Sequence, residues 1–122
     1  MIVNLTQHQP TPEQVAAGVS PASAEVSALL NFTDIPGEGD ISERARALAK
    51  LANRSRTTCG QMSAMIGGAP YLMASLEREL RRLAITPLYS FTARESVEVV
   101  QPDGSVRKTA IFRHVGFVEA AQ

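Results

Sequence analysis

A chain of 122 residues is long enough to bury one hydrophobic core and too short for two, so residues 1–122 are expected to form a single domain. Its 12 basic and 12 acidic residues cancel, which argues against a surface built for a long nucleic acid and leaves room for a small anionic ligand held by local charges. The lone Cys59 excludes an intrachain disulfide and reads as a small buried residue.

There is no Cys/His set at zinc spacing, and no apolar stretch approaches the ~18 residues of a membrane-spanning helix. The opening Met1-Ile2-Val3-Asn4 lacks the basic stretch of a secretion signal. A cytoplasmic protein without membrane contact, metal or resident cofactor is the expectation.

Ile2-Val3-Asn4-Leu5 reads as a short buried strand ending in the polar loop Thr6-Gln7-His8-Gln9-Pro10. Thr11 as a cap, Pro12 at the first helical position and Gln14 closing a capping box predict a short helix to about Gly18. Ser20-Pro21 repeats that logic for a second helix carrying Val26, Leu29 and Leu30, and Pro36-Gly37-Glu38-Gly39 reads as a loop. Asp40 and Glu43 predict the start of a third helix, with Ile41, Ala45, Leu48 and Ala52 on its buried face. Arg54 to Gly60 reads as irregular. Met62 to Ile66, too short for a helix before Gly67-Gly68, reads as a second strand.

From Tyr71 to Leu83, the residues Leu72, Leu76, Leu80 and Leu83 make one apolar stripe, and Arg81 and Arg82 suit the helix C-terminus. Ile85-Thr86-Pro87 is expected to stop that helix and Leu88-Tyr89-Ser90-Phe91 to form the next strand, giving a right-handed βαβ unit. Glu95 to Val100 and Val106 to Val118 alternate about the turn Gln101-Pro102-Asp103-Gly104, which predicts an antiparallel hairpin. That hairpin can extend the sheet edge or pair with a partner chain. The fold class expected is α/β: a Rossmann-like three-layer sandwich with a mainly parallel sheet and a C-terminal antiparallel hairpin.

In open α/β sheets ligands bind beyond the carboxyl ends of the parallel strands, where helix N-termini and loops meet. Three segments qualify: Thr6-Gln7-His8, Gly67-Gly68-Ala69-Pro70-Tyr71 and Thr92-Ala93-Arg94-Glu95-Ser96. Together they would offer an imidazole, backbone amides, a guanidinium and several hydroxyls to a small phosphate-containing ligand. On that reading Thr6, Gln7, Gly67, Gly68, Tyr71, Arg94 and Ser96 bind the ligand, with Arg94 the phosphate partner, and His8 is the general acid/base if there is turnover.

Each candidate also has a structural explanation. Gly67-Gly68 suits any turn that needs positive φ, His8 suits a helix start beside Thr11, and Arg94 with Glu95 suits an edge ion pair. Ser90 and Ser96 are ordinary sheet hydroxyls unless a base lies beside them, and His114 suits packing or an interface. The third glycine of a dinucleotide fingerprint and the Lys-Ser/Thr of a P-loop are missing, so neither NAD nor ATP hydrolysis is indicated.

The run Asn4-Leu5-Thr6-Gln7-His8-Gln9-Pro10-Thr11-Pro12-Glu13-Gln14 resembles the opening of small CRISPR-associated Rossmann-fold-like (CARF-like) proteins, the stand-alone ring nucleases and cyclic-oligonucleotide binders. In those, an Asn-aromatic/Leu-Ser/Thr-His segment leads into Thr-Pro-Glu-Gln; here one extra residue precedes His8. The resemblance implies a homodimer that binds a cyclic oligoadenylate or similar signal across its two-fold axis, with Thr6, His8, Gly67 and Arg94 facing it. Any cleavage would then be metal-independent.

The whole chain also resembles short uncharacterised bacterial and prophage proteins with the patterns Asn-Leu-Thr-Gln-His, Ala-Met-Ile-Gly-Gly-Ala-Pro and Phe-Arg-His, which implies no activity. A non-enzymatic accessory module that docks a protein partner through the hairpin edge is the alternative expectation.

Overall fold

The computed structural model describes residues 1–56 and 61–121, so Cys59 lies outside the described residues. The elements run in the order β1 (Ile2–Leu5), α1 (Pro12–Ala16), α2 (Ala24–Leu30), α3 (Glu38–Arg54), β2 (Met62–Ile66), α4 (Pro70–Arg82), β3 (Ile85–Val100) and β4 (Val106–Glu119). They build one four-stranded sheet in the order β1-β2-β3-β4, parallel across the first three strands and antiparallel between β3 and β4. The fold is α/β with a mostly parallel sheet and a C-terminal antiparallel pair.

Sequential parallel strands joined by right-handed crossovers pack the long helices of both connections on the same face of the sheet. Accordingly, Val3, Leu5, Ala64, Ile66 and Ile85 from alternate strand positions form one core cluster with Val26 and Leu30 of α2, Leu48 of α3, and Leu72, Leu76 and Leu80 of α4. Leu48, Leu72, Leu76 and Leu80 are fully buried, each contributing about 2 kcal/mol relative to exposure. The opposite face bears the five-residue α1, whose Gln14 is buried against β3 and β4.

Local chemistry sets the helix starts, twice differently from the sequence expectation. The capping box of α1 forms as expected, with Thr11 Oγ1 accepting from the Gln14 N–H at 3.2 Å and Gln14 Oε1 accepting from the Thr11 N–H at 3.0 Å. For α2 the cap is Ser23, whose Oγ accepts from Val26 N at 3.1 Å, because Ser20 is engaged elsewhere, its Oγ accepting from Asn4 N at 3.1 Å. Glu38 and Gly39 belong to the first turn of α3 rather than to a loop, since Asp40 Oδ2 accepts from Gly37 N at 3.0 Å and closes that turn.

The largest departure is at β3. Leu83 and Ala84 end α4 through hydrogen bonds to the Leu80 and Arg81 carbonyls, Ala84 adopts φ 57°, and the strand starts at once with Ile85. Pro87 does not precede the strand but sits inside it, opposite Ala64. Its carbonyl accepts from Ala120 N, just past the end of β4, so the side on which a proline lacks its N–H faces the end of the ladder rather than its middle.

β3 then runs without a break to Val100. Thr92 to Ser96, expected as a loop, is strand, because β4 pairs with β3 along its whole outer half. The ladder shifts register at Phe91/Thr92, where Phe91 faces Gly116 and Thr92 faces His114, leaving Val115 as the extra residue of a bulge. Beyond Ser90 the two strands pair only with each other and form a two-stranded arm. Its turn is held by Gly104 at φ 86° and by Asp103 Oδ1, which accepts from Ser105 N at 2.9 Å and Ser105 Oγ at 2.6 Å and so lies below the usual carboxyl range. Among the described residues no helix is long and apolar enough to cross a membrane.

Candidate functional site

The parallel register sets Leu5, Ile66 and Tyr89 side by side as the last paired residues, so Thr6, Gly67 and Ser90 stand level at the carboxyl edge of the sheet. Tyr89 points to the helical side, where its hydroxyl donates to Glu77 Oε2 at 2.6 Å. By strand alternation Ser90 points to the other face, toward α1.

The loop after β1 is tied by its own side chains. Asn4 is buried; its Oδ1 accepts from Thr6 N at 3.0 Å and Thr6 Oγ1 at 2.7 Å, while its Nδ2 donates to the His8 carbonyl at 3.0 Å. His8 enters this knot through its backbone, its N–H donating to Thr6 Oγ1 at 3.3 Å, and the residue itself is exposed. Gln7 Nε2 donates to Asn31 Oδ1 at 3.0 Å, which links the loop to the end of α2.

Gly67 and Gly68 have different reasons for being glycine. A Cβ on Gly67 would meet Thr6 Cγ2 at 3.5 Å, an ordinary contact. Gly68 holds φ 153°, and a Cβ there would lie 3.4 Å from Leu30 Cδ2 and 3.6 Å from Met73 Cε. Both are ordinary contacts, so it is the backbone conformation at Gly68 that requires glycine. It leads into Pro70, the first residue of α4, and Tyr71, which is half exposed.

Tyr71 packs edge-on against Phe32 with centroids 5.4 Å apart, and the Arg44 guanidinium lies 4.5 Å from the centre of the Phe32 ring. Arg44 also donates to the Leu29 carbonyl at 3.0 Å and the Asn31 carbonyl at 2.5 Å, where a cation suits the C-terminal end of α2. A continuous line of contacts thus runs from Gln7 through Asn31 and Phe32 to Tyr71. Thr6, Gln7, Gly67, Gly68 and Tyr71 are brought to one edge.

Arg94 and Ser96 are not part of it. They lie within the arm, opposite Phe112 and Ala110, four and six residues beyond Ser90 along an extended strand. At the usual strand rise this puts Arg94 roughly 13 Å and Ser96 roughly 20 Å from that level. Glu95 pairs with Arg113 at 3.5 Å rather than with its neighbour Arg94. The expected third loop fails because its polar residues are carried off along a strand that β4 stabilises.

In its place the fold assembles three residues from distant parts of the chain. Ser90 Oγ lies 2.9 Å from His114 Nδ1, Gln14 Nε2 donates to Ser90 Oγ at 3.1 Å, and Gln14 Nε2 is 3.3 Å from His114 Nδ1. The His114 ring stands edge-on to Phe117 at 4.8 Å. Ser90 and His114 are each half-buried, which leaves the pair partly open to solvent. Ser90 thus has the base beside it that the sequence alone could not supply. The sequence signal was a buried-period serine at the end of the parallel strand and a histidine inside the returning arm, but the pairing depends on the bulge at Val115.

Comparison with curated proteins and with solved structures finds no match to this chain. A family model covers it from residue 1 to residue 118, which takes in every element above except the last residue of β4. By that match over nearly its full length, the chain belongs to the Uncharacterized protein MJ1673 family.

Proposed function

We propose that the protein binds a small phosphate-containing nucleotide signal, such as a cyclic oligonucleotide, at the carboxyl edge of its sheet, and that it does so as a cytoplasmic homodimer. The observation that carries this reading is the line of contacts joining Gln7, Asn31, Phe32 and Tyr71 beside the Gly67-Gly68 turn. It combines side-chain amides, an aromatic surface on which a base can stack and the positive end of the α4 dipole. Arg44, packed over Phe32, takes the role of phosphate partner that Arg94 is too distant to fill.

The opening from Asn4 to Gln14 supports the same reading through its likeness to CARF-like proteins. The hydrogen-bonded loop adds a physical reason for that likeness, since Asn4, Thr6 and the His8 backbone use one another's polar groups. His8 is left with an exposed side chain and no bond within the loop other than through its backbone, so it faces ligand only if ligand arrives from solvent.

The test is a thermal-shift and calorimetric titration with cyclic and linear oligoadenylates. A ligand at a hundred times its Kd stabilises the folded state by about 2.7 kcal/mol, enough to raise the Tm by several degrees. Arg44→Ala and Tyr71→Ala should reduce that shift while Arg94→Ala leaves it. No shift with any of the oligonucleotides on folded protein would end this reading.

A second reading, an accessory module that docks a protein partner through its arm, is favoured by a separate observation. Phe91, Val97, Val99, Val100, Val106, Ile111, Phe112 and Val115 are between 36% and 73% exposed. Scattered apolar residues are common on surfaces, but this set lies on one two-stranded arm and could supply an interface of the usual ~800 Å² per partner.

A further inference from the structure

We propose that Ser90 and His114 form a hydroxyl–imidazole pair that turns over a phosphoryl ester, with Gln14 as its positioning residue. The inference rests on the reading that a phosphate-containing ligand occupies the carboxyl edge, where Ser90 stands level with Thr6 and Gly67.

Donor counting fixes the direction of each bond. The backbone N–H of Thr11 can only donate, so the Gln14 atom 3.0 Å from it is the carbonyl Oε1 and the other end is the NH2. Nε2 therefore donates to Ser90 Oγ at 3.1 Å. The single hydroxyl hydrogen of Ser90 is then free to point at His114 Nδ1, 2.9 Å away. Nδ1 faces that hydroxyl and the Gln14 NH2 at 3.3 Å, two donors, so in the neutral ring Nδ1 is the bare nitrogen and Nε2 carries the hydrogen. A serine hydroxyl aimed at the lone pair of an imidazole, with a third group orienting both, is the arrangement that activates a nucleophile.

The fold holds the imidazole from its other side as well. Residues three apart in a regular strand point to opposite faces, yet His114 and Phe117 share one, because the bulge at Val115 restores them to the same side. The pair is thus set by α1 through Gln14, by β3 through Ser90 and by β4 through His114 and Phe117.

The step balances with water as co-reactant. Ser90 Oγ attacks phosphorus while its hydrogen passes to His114 Nδ1. The bond from phosphorus to the leaving oxygen breaks, and that oxygen takes the proton from the imidazolium, leaving as an alcohol. Water then attacks the phosphoryl-serine, giving its proton to Nδ1, and Ser90 recovers a hydrogen as the phosphate departs. Both electron pairs return to oxygen and no redox partner is needed.

The probe is a fluorophosphonate, whose P–F bond breaks as Ser90 Oγ bonds to phosphorus and fluoride leaves. Intact mass and peptide mapping of the full chain should show one adduct on Ser90 and none on the exposed Ser105. Ser90→Ala should abolish it, and His114→Ala should slow it about 100-fold. Because Gln14 also caps α1, the isosteric Gln14→Glu is the positioning test. It keeps the acceptor for Thr11 but presents an oxygen to the pair, so labelling should fall and ¹⁵N NMR should find the His114 ring hydrogen moved from Nε2 to Nδ1. Circular dichroism checks that each variant is folded.

Absence of an adduct on folded protein, equal labelling in His114→Ala, or a wild-type neutral ring protonated on Nδ1 would each overturn the pair. Ser90 labelling without any oligonucleotide-induced thermal shift would uphold the pair and remove the nucleotide as its ligand. A thermal shift without Ser90 labelling would leave binding in place and overturn the turnover proposed here.

Discussion

The buried carboxamide of Asn4 and the hydroxyl of Thr6 lie 2.7 Å apart, and the Thr6 N–H reaches the same Asn4 oxygen at 3.0 Å. With Nδ2 donating to the His8 carbonyl, one side chain satisfies three polar groups where β1 ends. Removing it takes the acceptor from the buried Thr6 N–H and hydroxyl. Asn4→Ala should cost about 3 kcal/mol, read as a lower urea midpoint with an unchanged m-value. A loss under about 0.5 kcal/mol would mean that the loop reorganises and that its geometry is not set by Asn4.

The two glycines that follow β2 should respond differently. Gly68→Ala forces a side chain into φ 153°, so a loss of about 1–3 kcal/mol is expected from backbone strain alone. Gly67→Ala places its Cβ at an ordinary distance from Thr6 and should cost under about 1 kcal/mol. Equal losses in the two variants, measured by denaturant unfolding, would contradict the separation of roles.

Tyr89 makes stability depend on alkaline pH. Burial pushes its phenol well above the ordinary 10.0, and the hydrogen bond to the Glu77 carboxylate, with its charge, pushes it further. The folded state therefore holds the proton more tightly than the unfolded chain does. This contribution is fully present below about pH 10 and is lost as the pH rises toward the folded value. Wild-type stability should decline above about pH 10, and Tyr89→Phe should flatten that decline while costing about 1 kcal/mol at neutral pH. A steeper alkaline loss in the variant would assign the effect to another group.

The arm should govern association rather than folding. A two-stranded hairpin gains little stability by itself, and Phe112 is 73% exposed near its middle. Phe112→Asp should leave the Tm within a few degrees of wild type. If the proposed homodimer forms through the arm, light scattering should show the variant at the mass of a monomer and the wild type at twice that mass. A mass that is the same in both would mean that the arm does not join two copies of the chain.

The arm also shows where the sequence misleads. Thr92-Ala93-Arg94-Glu95-Ser96 has the polar composition of a loop, and only the facing strand Ala110 to His114 makes it a strand. Strand character depends on a partner that can be any distance away in the chain. The same is true of the site: Gln14 to His114 is a contact across 100 positions, and Ser90 to His114 one across 24.

Elements whose causes are local can be read directly from neighbouring residues. The Thr11, Pro12 and Gln14 capping box starts α1, the spacing of Leu72, Leu76 and Leu80 makes the buried stripe of α4, and the Gly67-Gly68 break separates β2 from α4. Each follows from backbone geometry and from the 3.6-residue period within a few residues. Which polar groups meet depends instead on how distant strands pair. The strand register sets Thr6, Gly67 and Ser90 level, the bulge at Val115 turns Phe117 toward His114, and the long β4 ladder draws Arg94 away from the edge. Those placements come from hydrogen bonds between distant strands, whose register is fixed by the assembled sheet and not by the residues next to them in the chain.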